Sequence, residues 1–314
     1  MNKDYDLVIV GAGCAGLAAA MYAGRLGLKT LCLGISHGTE MPIGGVITTT
    51  NLVENYPGFA SISGYDLAQA LKDHAAGYKN VTPKEEKVEE IKKSENIFYV
   101  KSNKREYVAK AIIFATGTRW KKLNIPGSKE FENRGVAYCA LCDAPLFKNK
   151  TVAVIGGSDS AAKDALVLAE YAKKVYIIYR GESIRAEPIN MQKIKNNKKI
   201  EIINNTNLTS IIGSRFVESA NIDQAYKGKK ELNIDGVFVA IGHEAISEIA
   251  QNIGVKINEK KEIIIDHRTS RTNVPRIYAA GDVTDKPFKQ AITGVAQGCT
   301  AAYSAYEDIS GKSL

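Results

Sequence analysis

Short unbroken apolar runs, rather than alternating ones, recur along the chain. Leu7–Val10, Ala111–Ala115, Val152–Ile155, Val237–Ile241 and Ile277–Ala280 each read as a strand buried on both faces, as in a parallel sheet. Two of these runs lead directly into glycines and then into an alanine-rich helical stretch. Leu7–Val10 is followed by Gly11-Ala12-Gly13-Cys14-Ala15-Gly16 and a helix to about Leu26. Thr151–Ile155 is followed by Gly156-Gly157-Ser158-Asp159-Ser160-Ala161 and a helix to Tyr171. Further strands are expected at Lys29–Leu33, Val88–Ile91, Ile97–Lys101, Tyr107–Ala109 and Val175–Tyr179. Further helices are expected over Gly64–Tyr78 and from Lys289 to Ile309. The fold class is α/β, with two Rossmann-like domains built on one plan and the second inserted in the first. The expected boundaries are 1–117 with 246–314 for one domain and 118–245 for the other.

The first glycine stretch is the strand–GxGxxG–helix fingerprint of a dinucleotide site. Gly11 allows the tight turn, Gly13 lets the backbone approach a pyrophosphate, and Gly16 permits close helix–strand packing. The following helix N-terminus attracts the phosphate charge. The strand after it ends at Leu33-Gly34 without the usual ribose-binding acid, and Glu40 is the nearest one. Gly44-Gly45 and Glu54-Asn55-Tyr56-Pro57-Gly58 form a turn-rich segment suited to wrapping a large cofactor. Ala115-Thr116-Gly117 and Ala280-Gly281-Asp282 end two apolar strands, and Asp282 is placed to accept from a ribityl hydroxyl. A helix opening at Lys289-Gln290-Ala291 would aim its N-terminus at a flavin pyrimidine and favour the reduced ring's negative charge. With the fingerprint, these pieces resemble the FAD domain of two-dinucleotide flavoprotein reductases.

Between the two fingerprint helices stands Tyr138-Cys139-Ala140-Leu141-Cys142-Asp143-Ala144-Pro145. Two cysteines separated by two residues can close a small disulfide ring, and an acid follows at once. The other three of five cysteines, Cys14, Cys32 and Cys299, lie among small or apolar residues and read as packing groups. His37, His74, His243 and His267 supply no pair at zinc-ligand spacing, so no metal is expected. With 314 residues, 45% hydrophobic and 24% charged, the composition suits a globular protein of two domains. No apolar run reaches the length of a membrane span, and Leu7–Val10 is unlike a signal peptide. A soluble cytoplasmic protein, not bound to membrane, is expected. The formal charge of +8 is spread over scattered lysines without a nucleic-acid motif. It suits steering of an acidic protein partner, and no nucleic acid is expected.

Taken in order, GAGCAG, GG-x-x-TTT, ENYPG, ATGT, CALCDAP, GGSDSA, AIGH, AAGDV and KQAITG resemble the low-molecular-weight thioredoxin reductases over essentially the whole chain. Cys-x-x-Cys-Asp within the inserted domain is the most specific of these elements. The resemblance implies that Cys142 lies against the flavin and Cys139 attacks a disulfide of thioredoxin or a similar small redox protein. It implies that Asp143 protonates the outgoing thiolate. It also implies an FAD site formed by Gly11, Gly13, Ala15, Gly16, Gly44, Gly45, Asn55, Val88, Thr116, Gly117, Gly281, Asp282, Lys289, Gln290 and Ala291. A homodimer, and a hinge at the two crossovers, follow from the same resemblance. The bottom-up chemistry agrees, because a cysteine at a helix start gains thiolate character and the thiolate is the reactive species.

The donor site is expected at Gly156, Gly157, Ser158, Asp159, Ser160, Tyr179, Arg180, Arg185, Gly242 and His243. Here the chain departs from the family pattern. Ser158 replaces the middle glycine, and Tyr179-Arg180-Gly181 replaces His-Arg-Arg, while Arg185 is kept. Two arginines favour the 2′-phosphate of NADPH. NADH, ferredoxin or a deazaflavin donor, and a slow flavin-bearing redox sensor, are the competing readings.

Overall fold

The computed structural model describes residues 3–35, 43–50 and 52–312. Glu40 and His37 lie outside the described residues. In chain order the elements begin β1 (Lys3–Val10), α1 (Cys14–Arg25), β2 (Thr30–Gly34), α2 (Gly64–Ala76), β3 (Val81–Glu85), β4 (Val88–Ser94), β5 (Ile97–Ser102) and β6 (Glu106–Phe114). They continue with β7 (Thr118–Trp120), β8 (Val136–Ala137), α3 (Ala140–Asp143), β9 (Thr151–Ile155), α4 (Asp159–Tyr171), β10 (Lys174–Ile178), α5 (Pro188–Asn196) and β11 (Ile200–Ile203). The last are β12 (Leu208–Gly213), β13 (Val217–Tyr226), β14 (Lys229–Asn233), β15 (Gly236–Val239), β16 (His243–Ala245), α6 (Glu248–Asn252), β17 (Ile277–Ala279) and α7 (Ala291–Ser310).

The chain divides into two compact units, residues 1–119 with 244–314, and residues 120–243. The first unit holds a sheet in the order β3-β2-β1-β6-β5-β4, with β17 also paired to β6. β1, β2, β3, β6 and β17 are mutually parallel, while β4 and β5 add an antiparallel wing. Alternate residues of the unbroken apolar strands feed two cores, one on each face. Val8, Val10, Leu31, Ile112 and Phe114 join one, and Leu7, Ile9, Cys32, Ile113 and Tyr278 join the other. Such two-sided burial is why these strands read as continuous rather than alternating runs.

The second unit repeats the plan with a parallel sheet, β11-β10-β9-β15-β8, beside an antiparallel meander, β12-β13-β14. Its cores also lie on two faces, Val152, Val154 and Val175 on one, Ala153, Ile155 and Ile178 on the other. Strands β7 and β16, the two crossover segments, pair with one another.

Among the differences from the sequence reading, three concern the first unit. Tyr107–Ala109 and Ala111–Phe114 are one strand, because Lys110 points outward and pairs with Asp6 at 2.8 Å. An unexpected strand, β3, carries Pro83 and lies at the sheet edge, where a missing N–H is tolerated. The cysteine outside the redox pair that is fully buried is Cys32, while Cys14 and Cys299 are only partly so.

Candidate redox centre and nucleotide cradles

Cys139 and Cys142 are joined by a disulfide, with their Cα atoms 5.4 Å apart. The sequence reading placed them at the start of a helix, and the structure has Cys139 as the N-cap of α3, a single turn. A 3₁₀ turn, Ala144–Phe147, takes over with Pro145 in its first turn. One turn carries little macrodipole, so the direct contact matters more: the N–H of Cys142 donates to Cys139 Sγ at 3.2 Å. Ala140 and Ala144 anchor the loop in the core below, beside Ala161 and Ala165 of α4. Cys142 is exposed and Cys139 half-buried, so accessibility alone does not separate attacking sulfur from flavin-side sulfur.

Asp143 follows the disulfide and donates its backbone N–H to Cys139 O at 3.2 Å. Its carboxyl is half-buried, and desolvation raises its pKa above the ordinary aspartate value. Raised affinity for a proton is what a donor to an outgoing thiolate needs. Asp143→Asn is expected to slow thiol–disulfide exchange about tenfold and to leave flavin reduction within about twofold of wild type. Stopped-flow measurement of the two half-reactions separates them, and a larger loss in flavin reduction removes Asp143 from this role.

The first cradle forms where β1 meets α1. Gly11 has φ +104°, and a Cβ there would lie 2.3 Å from Ala115 O, so the turn admits glycine only. Gly13 caps α1 without a side-chain hydrogen bond, and no acid occupies the helix's first turn. The first helical N–H groups are thus left for an anion. Gly13 also pairs with Gly44, whose N–H donates to Ala12 O at 2.8 Å. Ala15 and Gly16 are buried in the helix behind them.

The rest of this set gathers in smaller groups. Gly281, at φ +81°, lies against Ala15, where an added Cβ would approach the alanine methyl to 2.9 Å. Lys289 Nζ bonds Asp282 O at 2.8 Å and also pairs with Glu262. Asn55 Nδ2 donates to Gln290 Oε1 at 3.0 Å, tying the turn-rich segment to the residue before Ala291 and α7. Thr116 donates its hydroxyl to Ile246 O, and Gly117 follows at φ +65°. Val88 lies apart from these, in the core among Ile91, Phe98 and Val100. A glycine-lined helix end with uncapped N–H donors fits a dinucleotide pyrophosphate. Gly11, Gly13, Gly44 and Gly45 would hold that part, and Asp282, Lys289 and Gln290 the flavin end.

The second cradle has the same backbone and different filling. A Cβ on Gly156 would lie 2.2 Å from Ala240 O, as one on Gly11 would from Ala115 O. Ser158 is the N-cap of α4, is exposed, and makes no capping bond through its hydroxyl. Ser160 is also exposed. Asp159 is already engaged: it accepts from Glu187 N and Asn190 Nδ2, each at 2.8 Å, and pairs with Lys163 at 2.7 Å. Arg185 N donates to Gly157 O at 2.6 Å, which draws the 181–187 segment along the turn. Arg180 and Arg185 both present exposed side chains. Gly242, at φ +100°, and His243 follow β15.

Sequence reasoning missed the coupling of Tyr179 to two glycines. A Cβ on Gly157 would fall 2.3 Å from the Tyr179 ring, and one on Gly181 would fall 2.6 Å from it. The ring therefore fills the space that both glycines leave. In the first unit the equivalent contact is made by Ala12 against Gly34, with the bulk on the other partner.

Two glycine-turned dinucleotide folds in one chain, one of them carrying a cysteine pair, make this a nucleotide-linked disulfide oxidoreductase. The model of the pyridine nucleotide-disulphide oxidoreductases matches residues 5–298, and the chain belongs to that family. The thioredoxin reductase of Treponema pallidum (strain Nichols) is 38% identical over 307 residues, 97% of each chain. The crystal structure of Lactococcus lactis thioredoxin reductase in its FR conformation matches with a TM-score of 0.92 at 35% identity, covering 98% of this chain and 100% of that one. The crystal structure of T. acidophilum thioredoxin reductase matches with a TM-score of 0.90 at 39% identity, covering 98% of this chain and 99% of that one. Within the wider family the chain groups with the low-molecular-weight thioredoxin reductases, which it resembles over nearly its whole length.

Proposed function

We propose that the protein passes two electrons from NADPH through FAD to the Cys139–Cys142 disulfide, and from the resulting dithiol to thioredoxin or a similar small redox protein. The observation that carries this reading is the accessible Cys-x-x-Cys-Asp disulfide in a chain that also holds an FAD-shaped glycine cradle. In sum, NADPH, one proton and a protein disulfide give NADP⁺ and a protein dithiol. FAD supplies the conversion of a hydride into an electron pair that a disulfide can accept.

The chain's own residues do the remaining work. Gly11, Gly13 and the head of α1 would bind the pyrophosphate, and Asp282 and Gln290 would orient the flavin end. With FAD bound, Cys142 would be the sulfur that receives the electron pair, and Cys139 would attack the partner's disulfide to form a mixed disulfide. Cys142 then resolves it, while Asp143 gives its proton to the departing partner thiolate. Leu146, 76% exposed and three residues beyond Asp143, adds an apolar rim that suits a protein partner. No helix among the described residues is long and apolar enough to cross a membrane. A cytoplasmic homodimer completes the reading.

Arg180 and Arg185 support NADPH over NADH, since their guanidinium groups suit a 2′-phosphate. Anaerobic titration of the yellow protein with each nucleotide tests this, followed by loss of the oxidised-flavin band. NADPH is expected to bleach the flavin at the lower concentration. Arg180→Ala is expected to weaken NADPH about tenfold and NADH less than about twofold. Equal losses would place Arg180 outside the site. If dithionite bleaches the flavin and neither nucleotide does, the Tyr179 ring and Ser158 have closed the cradle and the donor is a different reductant.

A further inference from the structure

Among the described residues, Lys286 is a buried cation without a hydrogen-bond or ion-pair partner. It lies in the segment between Asp282 and α7, and only 8% of its surface is exposed. Among the described residues no acceptor forms a hydrogen bond or ion pair with its ammonium group. Its neighbour Lys289, by contrast, is satisfied by Glu262 and by Asp282 O. Asp282 attracts Lys286 through its charge without bonding it. Burial lowers the amine to about 8, with Asp282 acting in the opposite sense and Lys289 adding repulsion, so it remains cationic at neutral pH.

A desolvated, unpaired ammonium is unfavourable, and such a group calls for an explanation such as a bound counter-charge. The neighbours say which charge. Lys286 sits beside Asp282 and Lys289, the residues of the flavin end, rather than at the Gly11–Gly13 turn that suits the pyrophosphate. A flavin ring that takes up a hydride acquires one negative charge, spread over its pyrimidine side. We propose that Lys286 is a further flavin residue, whose buried cation offsets the negative charge of the reduced ring and so raises the flavin's reduction potential. The inference rests on the FAD reading of this cradle.

The test uses FAD-loaded wild type, Lys286→Met and Lys286→Arg. Flavin potentials are measured by anaerobic equilibration with a reference dye, and FAD dissociation constants by fluorescence. Lys286→Met is expected to shift the reduction equilibrium about tenfold towards the oxidised flavin, about 30 mV for a two-electron couple. Its affinity for oxidised FAD should stay within about threefold of wild type, and Lys286→Arg should recover most of the potential. Should Lys286→Met prove unfolded, Lys286→Gln takes its place in both measurements. An unchanged potential in the flavin-loaded variant overturns the proposal. So does a loss of FAD affinity at unchanged potential, which would assign the cation to the pyrophosphate. A wild-type protein that takes up no FAD instead overturns the reading of the cradle itself.

Discussion

Cys142→Ser is expected to abolish multiple turnover of a protein disulfide, by at least about a thousandfold, while the protein stays folded and yellow. The exposed position of Cys142 makes serine tolerable, since one sulfur is exchanged for oxygen at a site with little packing to lose. The chemistry is not tolerant. Serine cannot join a disulfide, so the electron pair has no acceptor and Cys139 has no resolving partner. Cys139 keeps a thiol and can exchange once, so an added aromatic disulfide should release about one equivalent of thiol and then stop. NADPH should still bleach the flavin, because the nucleotide and FAD residues are untouched. Sustained thioredoxin reduction by Cys142→Ser would remove the pair from the mechanism. Cys139→Ser serves as its control and is expected to lose turnover equally.

The parts of the fold that were legible in the sequence share one property: local signals agreed with burial. Leu7–Val10 with Gly11–Gly16 announced strand, turn and helix within a dozen residues, and β1 and α1 form there. The repeat at Thr151–Tyr171 was equally plain, as β9 and α4. The meander β12–β14 was not, because its strands mix exposed Glu231, Lys229 and Lys230 with few core positions and carry register shifts. The helix expected at Cys139 does start there, but it lasts a single turn because Pro145 diverts the chain into a 3₁₀ turn. Among site residues, the motif glycines were visible because turns demand them. Lys286 was not, since nothing in a sequence distinguishes a buried lysine from the many solvated ones. The Tyr179–Gly157 contact joins positions 22 residues apart along the chain, and only the packing of β10 against the turn brings them together.

Gly13→Ala is expected to cost about two orders of magnitude in FAD affinity and almost nothing in stability, and the contrast follows from where the new methyl would sit. At Gly13 the backbone is extended, with φ −77°, so alanine adopts it without strain. An added Cβ would meet Gly45 Cα at 3.5 Å and Gly45 N at 4.0 Å, ordinary van der Waals contacts within the protein. The same change at Gly11 would force a positive φ and a 2.3 Å approach to Ala115 O, which would damage the fold and the site together. Gly13 therefore separates binding from folding. The methyl at the head of α1 stands where a pyrophosphate must come within hydrogen-bonding distance of the N–H groups. Losing one or two charge-assisted bonds of about 1.5–3 kcal/mol each amounts to roughly a hundredfold. Thermal unfolding of the apoprotein should shift by no more than about 2 °C. Titration with FAD should show the loss in affinity, and the purified variant should be pale. An alanine variant that binds FAD as tightly as wild type would mean that the phosphates do not approach the head of α1, and the flavin would then have to be sought in a different part of the unit.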